Sequence, residues 1–212
     1  MPLSMMPTCL TRQQTSGEKF LDQNTQLPES NVLENQLREC FARVVYSHKT
    51  HEKQADITST QLARFKMTQI ALSALTSSGA LAILFAENFY LKCATAAISL
   101  ISLFVTGYMK GFDPGAVAQK HRDTAADLWS IRESYLSLLT DHANGTVDRE
   151  NACKKRDQLQ ADLAAIYKSA PGTTPKSYLS AQEALQTLED YTFNPGEIDK
   201  FLPPALKRDN GK

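Results

Sequence analysis

The stretch that decides the fold is Met67–Met109, which reads MTQIALSALTSSGALAILF, then AENFYLK, then CATAAISLISLFVTGYM. Neither apolar block contains Asp, Glu, Lys or Arg, although the chain carries 23 basic and 23 acidic side chains. Each block holds about 17–20 residues, and at about 1.5 Å rise per residue that makes a helix of about 25–30 Å, the thickness of a hydrocarbon core. The stretch predicts a helical hairpin that crosses a membrane twice.

The competing reading is a hairpin buried in a soluble bundle. In the first block Ile70, Leu72, Leu75, Leu81, Ile83, Leu84 and Phe85 favour insertion, while Gln69, Ser73, Thr76, Ser77 and Ser78 oppose it. At about −0.3 to −0.6 kcal/mol per large apolar residue, the first helix alone inserts marginally and needs the second. Helices of soluble cores, however, usually keep a polar face with Lys or Glu. Neither block has one, and the membrane reading prevails.

Arg43, Lys49, Lys53, Arg64 and Lys66 precede the first block, and Lys110, Lys120 and Arg122 follow the second, whereas the connecting turn offers only Glu87 and Lys92. The positive-inside rule then predicts a multi-pass membrane protein with both termini cytoplasmic and the turn outside. Phe89, Tyr90 and Tyr108 fit interfacial aromatics. The first residues lack the apolar run of a signal peptide, so targeting falls to the hairpin.

Working outward, residues 1–28 are rich in Thr, Gln, Ser and Pro and predict a flexible tail. A helix is expected after Pro28, capped by Ser30 or Asn31, with Val32, Leu33, Leu37, Cys40, Phe41, Val44 and Val45 on one face. The polar run SHKTHEKQADITSTQ follows, leaving open one long helix or two that meet near Asp56–Ser59. Beyond the hairpin, GFDPG is a break. Amphipathic helices are expected over about Ala116–Thr140, Asp148–Ser169 and Tyr178–Leu188, before an irregular tail. DHANGTVD, from Asp141-His142 through Asn144-Gly145, is a turn between the first two, and Asp148 can cap the second. No strand is evident and the fold class is all-α: a transmembrane hairpin flanked by long amphipathic cytoplasmic helices that form a bundle. The layout is a tail over 1–28, a cytoplasmic helical segment over 29–66, the hairpin over 67–109, a cytoplasmic bundle over 110–205 and a tail over 206–212.

Balanced charge argues against nucleic-acid binding, which needs a basic footprint. Cys9, Cys40, Cys93 and Cys153 are scattered and predict neither a disulfide framework nor a zinc site. No phosphate loop, G-x-S-x-G or H-E-x-x-H motif is present, so no catalysis and no cofactor are expected. His48 and His51, with Glu52 beside them, could be half a metal site; lacking a matching cluster, they predict a solvated helix face. His121-Arg122-Asp123 could bind an anionic headgroup or a nucleotide, with a structural role favoured.

Inside the blocks, Thr95, Ser99, Ser102 and Thr106 recur at spacings of four and three, as do Gln69, Ser73, Thr76 and Ala80, so each set forms a stripe down one helix. Such stripes either pack helices together or line water when several hairpins assemble. With no intramembrane charge, ion-coupled transport is disfavoured. Two helices cannot enclose a path alone, so conduction requires a homo-oligomer.

The hairpin, the GFDPG exit and the helix HRDTAADLWSIRESYLSLLTD, with Trp129, Arg132, Tyr135 and Leu139 in place, together resemble the SLATT domain family over about residues 30–205. The resemblance implies a two-transmembrane effector that oligomerises and perforates the inner membrane in an anti-phage system. It also implies a signal from a nucleotide-synthesising enzyme encoded nearby, or its cyclic-nucleotide product. The expected site residues are then Thr95, Ser99, Ser102, Thr106, Gln69, Ser73 and Thr76 for the pore-lining or packing stripe. His121, Arg122, Trp129, Arg132 and Tyr135 form the expected cytoplasmic interface. The alternative is a non-conducting membrane anchor whose cytoplasmic helices recruit a partner.

Overall fold

The computed structural model describes residues 29–85 and 88–207. Six α-helices and a terminal 3-10 turn follow in order: α1 Glu29–Phe85, α2 Phe89–Phe112, α3 Pro114–Ala143, α4 Arg149–Ser169, α5 Pro175–Gln186 and α6 Glu197–Phe201, with the 3-10 turn at Pro204–Leu206. No strand occurs among the described residues. The chain is all-α. The expected tail over 1–28 lies outside the described residues, as do Glu87 and most of the C-terminal tail.

The long polar run does not interrupt the first helix. Helix α1 is continuous for 57 residues, about 85 Å at helical rise, so the break near Asp56–Ser59 does not exist. The run contains no Pro or Gly, and its polar side chains find partners on neighbouring elements. The helix begins at Glu29, which puts Ser30 and Asn31 inside it rather than at the cap.

The return path has a joint. Helices α2 and α3 are separated by Asp113 alone, whose backbone sits in the left-handed region at φ 33°. Its N–H closes α2 onto the Met109 carbonyl, and its carboxylate caps α3 by accepting from the Ala116 N–H at 3.1 Å. Pro114 takes the first helical position of α3, where its missing N–H costs nothing. The helix therefore starts two residues earlier than the expected Ala116.

Along the apolar half, the half-buried residues of α1 are Leu62, Phe65, Gln69, Leu72, Thr76, Gly79 and Ile83. Opposite them on α2 stand Leu91, Thr95, Ile98, Ser102, Val105 and Met109. Both sets alternate three- and four-residue steps, the spacing that keeps one seam facing an antiparallel partner. The other faces point outward: Leu84 is 76%, Phe85 89% and Phe104 81% exposed. Both helices are long and apolar enough to cross a membrane, and none of either apolar window is buried in the protein. A soluble core helix would hide that surface.

In the polar half the same antiparallel pair becomes a bundle. Leu33, Leu37 and Val44 of α1 pack with Leu128, Ile131, Tyr135 and Leu138 of α3 and with Ala152 and Leu159 of α4. Asp148 caps α4 through the Asn151 N–H at 2.8 Å, as its position suggested. Helix α4 runs parallel to α1, with hydrogen bonds from Arg156 to Gln36 (2.8 Å) and from Tyr167 to Ser47 (2.7 Å). Thr174 caps α5 and anchors it to α1, its hydroxyl donating to Gln54 Oε1 at 2.7 Å. Asp141 and His142, expected in a turn, form the last turn of α3. The irregular tail contains α6 and the 3-10 turn.

Candidate functional site: a hydroxyl-bearing hairpin and a charged cleft

The sequence-predicted stripes divide in the folded hairpin. Thr95, Ser102, Gln69 and Thr76 are half-buried in the seam, whereas Ser73 and Ser99 face outward. Thr106 is exposed but bound across the hairpin, its hydroxyl accepting from Gln69 Nε2 at 3.1 Å. Thr76, Thr95 and Thr106 also donate to the carbonyls one turn back, at 2.8, 2.9 and 2.8 Å, which satisfies each hydroxyl without water. Gly79 lies directly against Thr95, leaving no room for a Cβ.

The expected interface residues divide as well. His121 and Tyr135 turn into the seam between α1 and α3 and are buried. Arg122, Trp129 and Arg132 line a cleft of about 750 Å³ between the two helices. The facing wall comes from the polar run of α1, with His48, Lys49, Glu52, Lys53, Ala55 and Asp56, and one end is covered by Tyr191.

This geometry corrects the reading of His48 and His51 as a solvated face. Each is only 5% exposed. His51 Nδ1 lies 3.0 Å from His121 Nδ1, so one ring donates and the other accepts, which requires at least one neutral imidazole. Burial, and then the neighbouring His121 and His48, depress the His51 pKa to about 4. Burial likewise lowers that of His121. The apolar period disappears from the sequence here because α1 meets α3 through His48 and His51 and meets the start of α5 through Gln54, with Thr58 buried beside it, side chains that periodicity does not score. Among the described residues no group of three or more His, Cys, Asp or Glu could hold a metal.

His48 links the pair to the cleft. Arg132 can only donate, so its contact at 3.3 Å makes His48 Nδ1 an acceptor and leaves the proton on Nε2, 3.5 Å from Glu52. Burial lowers the His48 pKa against the pull of Glu52. Arg132 is itself held by Glu133 at 2.7 Å.

Tyr191 is the residue that sequence reasoning missed. It sits far along the chain in a turn whose backbone is left-handed at Glu189 (φ 55°) and at Tyr191 itself (φ 73°). Its ring stacks on His48 at 5.6 Å, with Lys49 Nζ 4.5 Å and the Arg132 guanidinium 4.7 Å from its centre. Its hydroxyl donates to Glu52 at 2.5 Å. Burial and the Glu52 contact push the phenol pKa up to about 12. The adjacent Asp190 pairs with Lys49 at 2.7 Å, and that hydrogen bond holds its carboxyl below the usual range. Against the burial that lowers it, Asp190 and Glu52 raise the Lys49 pKa. No spacing in the sequence ties this Asp-Tyr pair to α1.

An all-α chain with an uncharged apolar hairpin continuous with a polar bundle defines a membrane protein with two candidate spans. Residues 33–197 match the family described as SMODS and SLOG-associating 2TM effector domain family 4, SLATT_4. The chain belongs to this family and is a two-transmembrane effector of bacterial defence systems. No curated protein and no solved structure matches it.

Proposed function

We infer that copies of this chain assemble in the bacterial inner membrane and permeabilise it, on a nucleotide signal made by a partner enzyme during infection. The observation that carries this reading is the hairpin surface, with large apolar side chains facing outward and hydroxyls at Ser73 and Ser99 interrupting them. Outward hydroxyls in an otherwise apolar helix can solvate an ion path once several copies enclose it, without the cost of intramembrane charge. Both termini and the bundle are then cytoplasmic, as the flanking Lys and Arg favour.

The test is entry of a membrane-excluded dye into bacteria expressing the chain with its genomic neighbours, before and after infection. Triggered entry is expected. Ser99→Leu should abolish it while membrane insertion persists, whereas Ser102→Leu, placed in the seam, should lower hairpin stability as well. Dye exclusion under every trigger, from an abundant membrane-bound protein, would leave the chain as an anchor that recruits a partner.

A further inference from the structure

The cleft between α1 and α3 is built differently from the rest of the bundle. Its walls carry Lys49, Lys53, Arg122 and Arg132 against Glu52 and Asp56, and the adjacent Asp190 and Glu133 pair with Lys49 and Arg132. Lys53 and Arg122 enter no ion pair among the described residues, and Arg122 is tethered only by donating to Ser59 at 2.7 Å. Between them and Arg132 stands Trp129, with half of its surface open to solvent. A cleft of about 750 Å³ lies within the range of small-ligand sites, about 300–1,000 Å³.

The Asp190–Tyr191 turn shows what such a site accepts. It places one carboxylate on Lys49 and one aromatic ring against His48, Lys49 and Arg132. An anion next to a planar ring is thus already held by cation and π contacts at one end of the cleft. The turn that delivers it has two non-glycine residues in the left-handed region, a conformation that costs of order 1 kcal/mol or more each and persists only while the surroundings hold it.

We propose that this cleft binds a soluble phosphate-bearing ligand with an aromatic ring, of nucleotide chemistry, and that the Asp190–Tyr191 turn is its internal occupant, displaced when the ligand enters. Phosphate oxygens take Lys49, Lys53 and Arg122, and the ring lies on Trp129. A lipid headgroup offers the same phosphate, but His48–Asp56 lies about 15–27 Å along α1 from Lys66, the first charge outside the apolar block. The headgroup layer extends only about 5–8 Å beyond the hydrocarbon. The inference uses the signal-gated reading only for the consequence of binding; the site stands on its own geometry.

Trp129 is the sole tryptophan of the chain, so its emission reports on the surroundings of this one side chain. The Lys53 and Arg122 variants tie a change to this cleft rather than to the neighbouring α3–α4 cavity that Trp129 also lines. The full chain in phosphatidylcholine nanodiscs is titrated with adenosine monophosphate, with inorganic pyrophosphate as competitor and phosphatidylglycerol nanodiscs as the lipid arm. Saturable quenching by the nucleotide, relieved by pyrophosphate, is expected. Arg122→Ala and, independently, Lys53→Ala should each weaken it at least tenfold, and Asp190→Ala should tighten it severalfold by removing the competitor. No saturable quenching, or quenching indifferent to both Arg122→Ala and Lys53→Ala, would overturn the site. A response to phosphatidylglycerol alone would make it a headgroup site and overturn the soluble ligand, and weaker binding by Asp190→Ala would make the turn a wall rather than an occupant. Binding without dye entry rejects permeabilisation and keeps the site, whereas dye entry without binding rejects the site.

Discussion

Two buried residues carry expectations of opposite sign. The Tyr135 side chain is fully buried, and its hydroxyl meets no oxygen or nitrogen partner among the described residues, only the weakly hydrogen-bonding Cys40 sulfur. Burial, and then the Cys40 sulfur beside it, push the phenol pKa up to about 12. An unsatisfied buried hydroxyl costs about 1–3 kcal/mol, so Tyr135→Phe should leave thermal stability unchanged or raise it by up to about 1 kcal/mol. A clear fall in the melting temperature in detergent would contradict this. His51 works the other way. Its folded pKa is depressed, so the unfolded chain binds the extra proton first. The stability it supplies is fully present above about pH 6.5 and is lost as pH falls toward 4, on the order of 3 kcal/mol in all. Melting temperature should therefore drop between pH 7 and 5, and His51→Leu with His121→Leu should flatten that dependence. Sequence placed Arg122, Trp129 and Arg132 near a surface of interest and left His48 and His51 in solvent. Spacing alone cannot tell a solvated polar face from a polar seam, and only the partner side chains of α3 decide it.

At the scale of single elements, the hairpin depends on close approach where Gly79 meets Thr95. A methyl group at Gly79 has to push Thr95 aside, and overpacking of this kind costs about 1–3 kcal/mol. Gly79→Ala should lower thermal stability in detergent by that amount, and adding Thr95→Ala should restore most of it. Additive losses in the double variant would mean that the contact is not the cause. The apolar blocks, the GFDPG break and the Asp148 cap were legible in the sequence because each is a local signal: lack of charge, proline chemistry, a carboxylate before a helix. The continuity of α1 was not legible. Polar residues at His48, His51, Gln54 and Thr58 erase the apolar period while the backbone remains helical.

For the molecule as a whole, most tertiary order runs along one axis. Helix α3 returns beside α1, α4 climbs again in register with it, and α5 is pinned to it through Gln54 and through a hydrogen bond from Gln186 to Tyr46 at 2.6 Å. The all-α architecture could be read from the sequence; the way the last third of the chain folds back onto α1 could not, because it rests on side-chain contacts more than a hundred residues apart. Mechanically, α1 is a rod and the returning limb is jointed at Asp113. A tilt of about 3° imposed at one end of an 85 Å rod moves the other by about 4 Å, close to half the 8–10 Å that separates packed helices. The returning limb has a joint at Asp113 and α1 has none, so the same tilt applied at the charged cleft, about 45–55 Å from Phe85, carries to the apolar tip as about 2–3 Å.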